Sequence, residues 1–235
     1  SQQPPHPLGP QDLCIDALLG IGLAPGDTRP PPSERLTVLL HALSVLPAAR
    51  QRGLRAIHVD HGLHAQSSDW GRHCARISQR CAVPLQVIAV DVDRDGGLGL
   101  EAAARAARYA AFATALAEGE ILALAHHRDD QTETVLLKLL RGAGPEGLGA
   151  MRTLRQLGQA WAWRPLLEVP RSVLRRHADQ AGLDWVEDPS NDDTRIERNF
   201  LRHEVLPILR KRWPRADASI SQSAAWVRAA ADLVD

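Results

Sequence analysis

From about residue 33 onward, short β-branched apolar runs alternate with longer stretches in which apolar residues recur at helical spacing. Strands separated in this way run parallel, because a parallel pair needs a crossover of a dozen or more residues and a helix supplies it. Strands are expected at 54–59, 85–92, 121–125 and 160–167, the last at an edge or at its own end because of Pro165. Leu36, Leu39, Leu40 and Leu43 form one helical stripe, and Ala103, Ala106, Ala107, Ala110 and Ala111 another, both read as core-facing. An opening strand belongs ahead of residue 33, but the apolar run at 18–23 is broken by Gly20 and Gly22 and flanked by prolines. The expected fold is α/β, an open, mostly parallel five-stranded sheet with helices on both faces.

A helix is expected over 132–140, opened by Asp129 and Asp130 and stopped by Gly142 and Gly144, with Pro145 arguing against its resumption and a glycine-rich loop following. Beyond residue 170 strand signals vanish. Helices at 171–181, 199–212 and 219–234 around a polar connection at 188–194 describe a C-terminal helical annex. The chain thus divides into an atypical segment 1–32, an α/β domain 33–170 and the annex 171–235, with no internal repeat.

Composition narrows the partners. Lys and Arg balance Asp and Glu at 28 each, so no global field draws the chain to nucleic acid or an anionic membrane, and any such contact needs a local patch. Positive charge is almost all arginine, with Lys138 and Lys211 the only lysines, which suits bidentate phosphate contacts. Cys14, Cys74 and Cys81 are odd in number and form no C-x-x-C pair, which fits a reducing cytoplasm rather than a disulfide or zinc framework. The proline-rich start is no secretory signal and no apolar run is long enough to span a bilayer, so a cytoplasmic chain without membrane contact is expected.

Two polar clusters stand at the carboxyl ends of expected strands, where open α/β sheets bind ligands. One is His58-Val59-Asp60-His61-Gly62-Leu63-His64; the other runs from His126-His127 through Asp129 and Asp130 to Glu133 and Thr134. Asp130 and Glu133, three apart on a helix, share a face and with His126 and His127 suit a cation or an ammonium group. A blander reading has Asp129 and Asp130 complement the positive helix N-terminus and Glu133 solvated. Glu101, Arg105, Arg108 and Tyr109 read as a solvated face of the preceding helix. Between residues 195 and 215 seven basic side chains stand against two glutamates, a local patch that serves phosphate or mere solvation equally well.

Taken in order, H-V-D-H-G-L-H, L-G-L-E-A-A-A-R-A-A-R-Y, H-H-R-D-D-Q-T-E-T, R-G-A-G-P-E-G-L-G-A-M and D-P-S-N…R-N-F-L-R resemble the tRNA(Ile)-lysidine synthase family. The resemblance covers about 36–226. It implies the adenine nucleotide alpha hydrolase-like fold of PP-loop ATP pyrophosphatases. It also implies a reaction in which ATP adenylates O2 of the wobble cytidine of tRNA(Ile) with a CAU anticodon and the ε-amine of free lysine then attacks C2, with Mg2+ neutralising the pyrophosphate. By matching position, His126, Asp130 and Glu133 hold lysine, and Arg105, Arg108 and Asp130 carry the chemistry. His58 and Asp60, with Arg105 and Arg108, border ATP. Asn191, Arg198, Asn199 and Arg202 lie at the tRNA. Family members continue into further domains, and a homodimer is left open.

One departure from that pattern matters: where the family carries S-G-G-x-D-S, this chain reads Pro31-Pro32-Ser33-Glu34-Arg35-Leu36. Glycines let backbone N–H groups close on phosphates, prolines remove such donors, and Glu34 repels phosphate. Two rival readings follow. A tRNA-binding remnant without catalysis would explain the missing loop. A two-metal hydrolase would use His58, Asp60, His61, His64, His126, His127, Asp129 and Asp130.

Overall fold

The computed structural model describes residues 13–16, 34–61, 67–93, 100–186 and 192–233. Six strands among them, β1 (Leu13–Asp16), β2 (Arg55–Asp60), β3 (Leu85–Ala89), β4 (Ile121–Leu124), β5 (Leu154–Leu157) and β6 (Ala160–Trp163), form one sheet in the order β3-β2-β1-β4-β6-β5. Five neighbours run parallel, and β5 closes one edge antiparallel to β6. The expected count of five is therefore corrected to six. The added strand, Leu-Arg-Gln-Leu, is half-exposed along its length and too short and polar to register as an apolar run. Its partner β6 is interior rather than an edge, and Pro165 lies past its end, where no ladder bond is required of it.

The opening strand is Leu13–Asp16, ahead of the glycine-broken run at 18–23, which lies outside the described residues. It sits between β2 and β4, with Cys14 beside Arg55 and Leu122, so part of the segment set apart by composition supplies the centre of the sheet.

Helices α1 (Glu34–Ser44), α2 (Pro47–Gln51), α3 (Ser67–Arg80) and α4 (Leu100–Ala115) fill the connections, and strand alternation sorts their packing. Ala56, Ile121 and Ala123 face a cluster with Leu36, Leu39, Leu40 and Leu43 of α1 and Cys74 and Ile77 of α3. Ile57, Val59, Leu122 and Leu124 face Ala111, Phe112 and Leu116 on the other side. Each period-two strand thereby feeds two cores.

After β4 come α5 (Arg128–Leu140) and α6 (Pro145–Leu148). Here Pro145 starts a helix instead of preventing one, since at the first helical position its missing N–H is no loss. Beyond the β5–β6 hairpin the described residues form α7 (Arg171–Gln180), α8 (Glu197–Phe200), a π-helical turn (Leu201–Val205), α9 (Leu206–Arg212) and α10 (Ala216–Ala231). Gly149 lets α10 approach: a Cβ there would stand 2.9 Å from that of Arg228, whose Nη1 donates to the Gly149 carbonyl at 2.9 Å. No described helix is long and apolar enough to cross a membrane.

Phe112 is fully buried at the centre of the second core. Phe112→Ala should lower unfolding free energy by about 3–5 kcal/mol in urea denaturation, while Val45→Ala, at an exposed position, should leave it within about 0.5 kcal/mol. Equal effects would show that the α4 face is not a core.

Candidate functional site

The site grows from the end of β4. The chain leaves the sheet at Leu124 and enters α5 through His127, whose Nδ1 accepts from the Asp130 N–H at 3.4 Å while the Asp130 carboxylate accepts from the His127 N–H at 3.0 Å. This reciprocal cap points Asp130 inward, where Nη1 of Arg35 in the first turn of α1 donates to both its oxygens at 2.7 and 2.8 Å. One turn on, Glu133 is 1% exposed and accepts from Arg202 at 2.7 and 3.0 Å and from Arg198 at 3.2 Å. Arg198 also reaches to 3.9 Å from Asp130, so the two carboxylates do share a face. Asp129 points elsewhere, accepting from the Arg171 N–H at 2.9 Å and from Arg210 at 2.8 Å.

Burial by itself would raise the Asp130 pKa, yet Arg35, the two neighbouring histidines and Arg198 together hold it well below the usual carboxylate range. Burial pushes His126 and His127 down, only partly opposed by Asp130, so both imidazoles are neutral near pH 7. Nδ1 of His126 is buried and has no hydrogen-bond partner.

Asp130 and His126 open onto a cavity of about 650 Å³ lined, among the described residues, by seven arginines and one lysine, with Asp130 the only carboxylate among them. Arg35 and Arg198 stand at the α5 side, Lys138 and Arg141 at the far end of α5, and Arg152, Arg155 and Arg164 on and beside the β5–β6 hairpin. The connection leading into the β5–β6 hairpin is fixed to α5 by Gln131, whose side-chain amide exchanges two 3.0 Å hydrogen bonds with the Met151 backbone. The site is a cationic cleft with one anionic spot.

Of the residues expected here, Arg105 lines the cleft, whereas Arg108 is buried behind it, over the ring of Tyr109. His58 and Asp60 are on β2, separated from β4 by β1, and do not line the cleft. Arg198 and Arg202 lie on the α5 carboxylates, and buried Asn199 donates to the Asp193 carbonyl at 3.1 Å. Asn191 lies outside the described residues. The basic patch is largely neutralised: Arg195 pairs with Asp193, Arg210 with Asp129 and Asp217, and only Lys211, Arg212 and Arg215 remain exposed without a described carboxylate. Sequence reasoning missed Arg35, Arg152, Arg155 and Arg164, for which the arginine bias was the one available signal.

The two-metal reading finds no geometry among the described residues, and His64 lies outside them. Among the described residues no group of three or more His, Cys, Asp or Glu is arranged to hold a metal. His61 is 3.1 Å from the Ala104 carbonyl, His127 caps α5, and its acids face guanidinium groups.

Because the folded pKa of Asp130 is depressed, its contribution to stability is full above the unfolded value of about 3.9 and is lost as pH falls below it. Asp130→Asn should cost about 3 kcal/mol at pH 7, with the gap to the unmodified protein narrowing as urea titrations move toward pH 2. A gap that stays constant with pH would show that the Arg35 pair is not formed in solution.

A PP-loop domain model matches residues 35–209 of the chain. The chain is 55% identical over 188 residues to the tRNA(Ile)-lysidine synthase of Xanthomonas axonopodis pv. citri (strain 306), covering 80% of this chain and 43% of that protein. It is 52% identical over 188 residues to the tRNA(Ile)-lysidine synthase of Alkalilimnicola ehrlichii, covering 80% and 42% respectively. It thus spans about half the length of the curated relatives it matches. A solved structure, the U34-tRNA thiolase NcsA from Methanococcus maripaludis with its [4Fe-4S] cluster, superposes with a TM-score of 0.68 over 93% of this chain and 72% of its own at 14% identity, a likeness of fold alone. From its sheet, its strand-end cleft and these matches, the chain belongs to the PP-loop domain family, and the relatives it matches at about half identity are tRNA(Ile)-lysidine synthases.

Proposed function

We propose that this chain is the catalytic part of a tRNA(Ile)-lysidine synthase, joining lysine to C2 of the wobble cytidine of tRNA(Ile) at the expense of ATP. The observation that carries the reading is the pairing of charges at α5: Asp130, at the wall of a cleft rich in cations, with buried Glu133 one turn behind it on the same face. An amino acid needs the first and phosphates need the second. Membership of the PP-loop domain family implies ATP binding, and the matched relatives are named for tRNA(Ile).

In this reading the cytidine O2 attacks the α-phosphorus of ATP and pyrophosphate leaves. The ε-amine of lysine then adds to C2, and the C2–O bond breaks to release AMP. Asp130 and Glu133 orient lysine through its ammonium charge, exchanging Arg35, Arg198 or Arg202 for it. The ε-amine must be neutral to attack, and His126, uncharged and lining the cleft beside Asp130, adds no positive charge that would oppose its entry. Arg105 faces charge that develops on the phosphates, with Arg108 buried behind it, and Arg198 and Arg202, once released by Glu133, reach the RNA together with Asn191, while buried Asn199 holds the Asp193 carbonyl behind them. His58 and Asp60 remain assigned to the adenine side. Mg2+ has no donor set among the described residues, since Asp129, Asp130 and Glu133 all face guanidinium groups, and no step here runs through it.

The test is lysine- and ATP-dependent release of pyrophosphate on tRNA(Ile) with a CAU anticodon. Asp130→Ala should abolish turnover, and Glu133→Gln should raise the lysine KM about tenfold with the ATP KM within about twofold, as expected for one lost charge-assisted contact. Unchanged turnover in Asp130→Ala would count against the lysine site. Binding of tRNA with no pyrophosphate release under any condition would favour the remnant.

A further inference from the structure

The arginines of the cleft fall into two groups. Arg35, Arg141, Arg152 and Arg198 each have a carboxylate of their own, on Asp130, Glu197, Asp232 and Glu133. Arg105, Arg155 and Arg164 have none in ion-pair contact among the described residues. These three converge on one phenol, that of Tyr109 on α4. The guanidinium carbons of Arg105 and Arg155 lie 4.9 and 5.2 Å from its ring centroid, its hydroxyl accepts from Arg105 at 3.4 Å, and Arg164 is within electrostatic reach of it.

Arg164 is the member that demands an explanation. It is 4% exposed, one nitrogen donates to the Arg152 carbonyl at 2.8 Å, and its Nε is buried with no hydrogen-bond partner. The Nε of Arg155 is in the same condition. Burial disfavours the charge on Arg164, Tyr109 relieves it in part, and Arg155 and Arg105 add repulsion. A guanidinium cannot escape by losing its proton, so buried Arg164, with half-buried Arg155 and exposed Arg105 beside it, is held against its own electrostatics. Such a cluster is stable in a fold when an anion completes it, and planar forks converging on one point match a tetrahedral phosphate better than a planar carboxylate.

We propose that Arg105, Arg155 and Arg164 form a phosphate-binding subsite in the β5–β6 wall of the cleft, taking the oxyanions of free pyrophosphate or of an RNA backbone. Arg155 and Arg164 thereby join the binding surface although neither falls in one of the motif blocks that carry the resemblance. The subsite stands whichever amine enters beside Asp130, because it shares no residue with the lysine site.

Calorimetric titration of the whole chain with inorganic pyrophosphate, and separately with an anticodon stem-loop RNA, tests the site in the unmodified protein, in Arg155→Gln and in Arg176→Gln, an exposed arginine on α7 as control. Arg155→Gln should weaken at least one ligand about tenfold, the cost of one charge-assisted contact, while Arg176→Gln stays within about twofold. Loss for pyrophosphate alone identifies the free anion, loss for RNA alone a backbone phosphate, and loss for both a site each can enter. Without anion, Arg155→Gln should melt no lower than the unmodified protein, because relief of repulsion offsets the lost stacking. Should Arg155→Gln fail to fold, Arg155→Lys, which keeps the charge and loses the fork, is read in the same way. The assignment is overturned if neither ligand weakens, if Arg176→Gln weakens them equally, or if Arg155→Gln melts several degrees lower without anion.

Discussion

Two buried carboxylates, Asp130 and Glu133, dictate much of what surrounds them. An ionised carboxylate removed from water must meet donors of positive charge, yet the histidines ahead of α5 are kept neutral by burial and its own Arg128 is spent on the Glu168 carbonyl. The cations therefore come from far along the chain: Arg35 from α1, Arg198 from α8 and Arg202 from the π-helical turn. Asp129 adds Arg210 of α9, which Asp217 of α10 holds from the other side. A companion pair, Arg171 of α7 on Glu34 of α1 at 2.6 Å, closes the ring. Residues 95 and 69 positions from their partners are thus fixed to a single helix start.

The same pairing explains how a site for a cationic amino acid can exist in a cleft of arginines. Replacing a guanidinium by an ammonium on Asp130 or Glu133 leaves the buried charge balance unchanged, so the carboxylates stay ionised before and after the exchange. In the proposed exchange the released arginines would be free to turn toward the cleft, where negative charge on phosphates would meet them. Arginine suits both duties, because it keeps its charge at any pH of interest and binds carboxylate and phosphate with one fork.

Much of the sheet was legible from the order of apolar runs, because parallel strands buried on both faces leave strong signals at β2 and β4, and β3, though an exposed edge strand, keeps a β-branched run. β5 escaped notice because an antiparallel edge strand with Arg155 and Gln156 at its centre needs only one packed face. β1 was displaced from its expected place because four residues, Leu-Cys-Ile-Asp, carry too short a pattern to stand out beside the longer run at 18–23. Pro145 was read for what it prevents and not for the helix start it favours. At the site, Asp130 and Glu133 were legible from helical spacing alone. Arg35, Arg155 and Arg164 were not, since nothing local distinguishes an arginine that pairs across the fold from one that is solvated. Even the patch near the C-terminus, plain as a count of charges, is mostly neutralised by acids brought in from α5 and α10.

The most direct measurement is a crystal structure of the protein soaked with lysine. The ammonium of lysine should lie within hydrogen-bond distance of the Asp130 and Glu133 carboxylates, with the Arg35 guanidinium turned away from Asp130. Lysine bound elsewhere, with the Arg35–Asp130 pair intact at saturating concentration, would contradict the assignment of α5 as the amino-acid site.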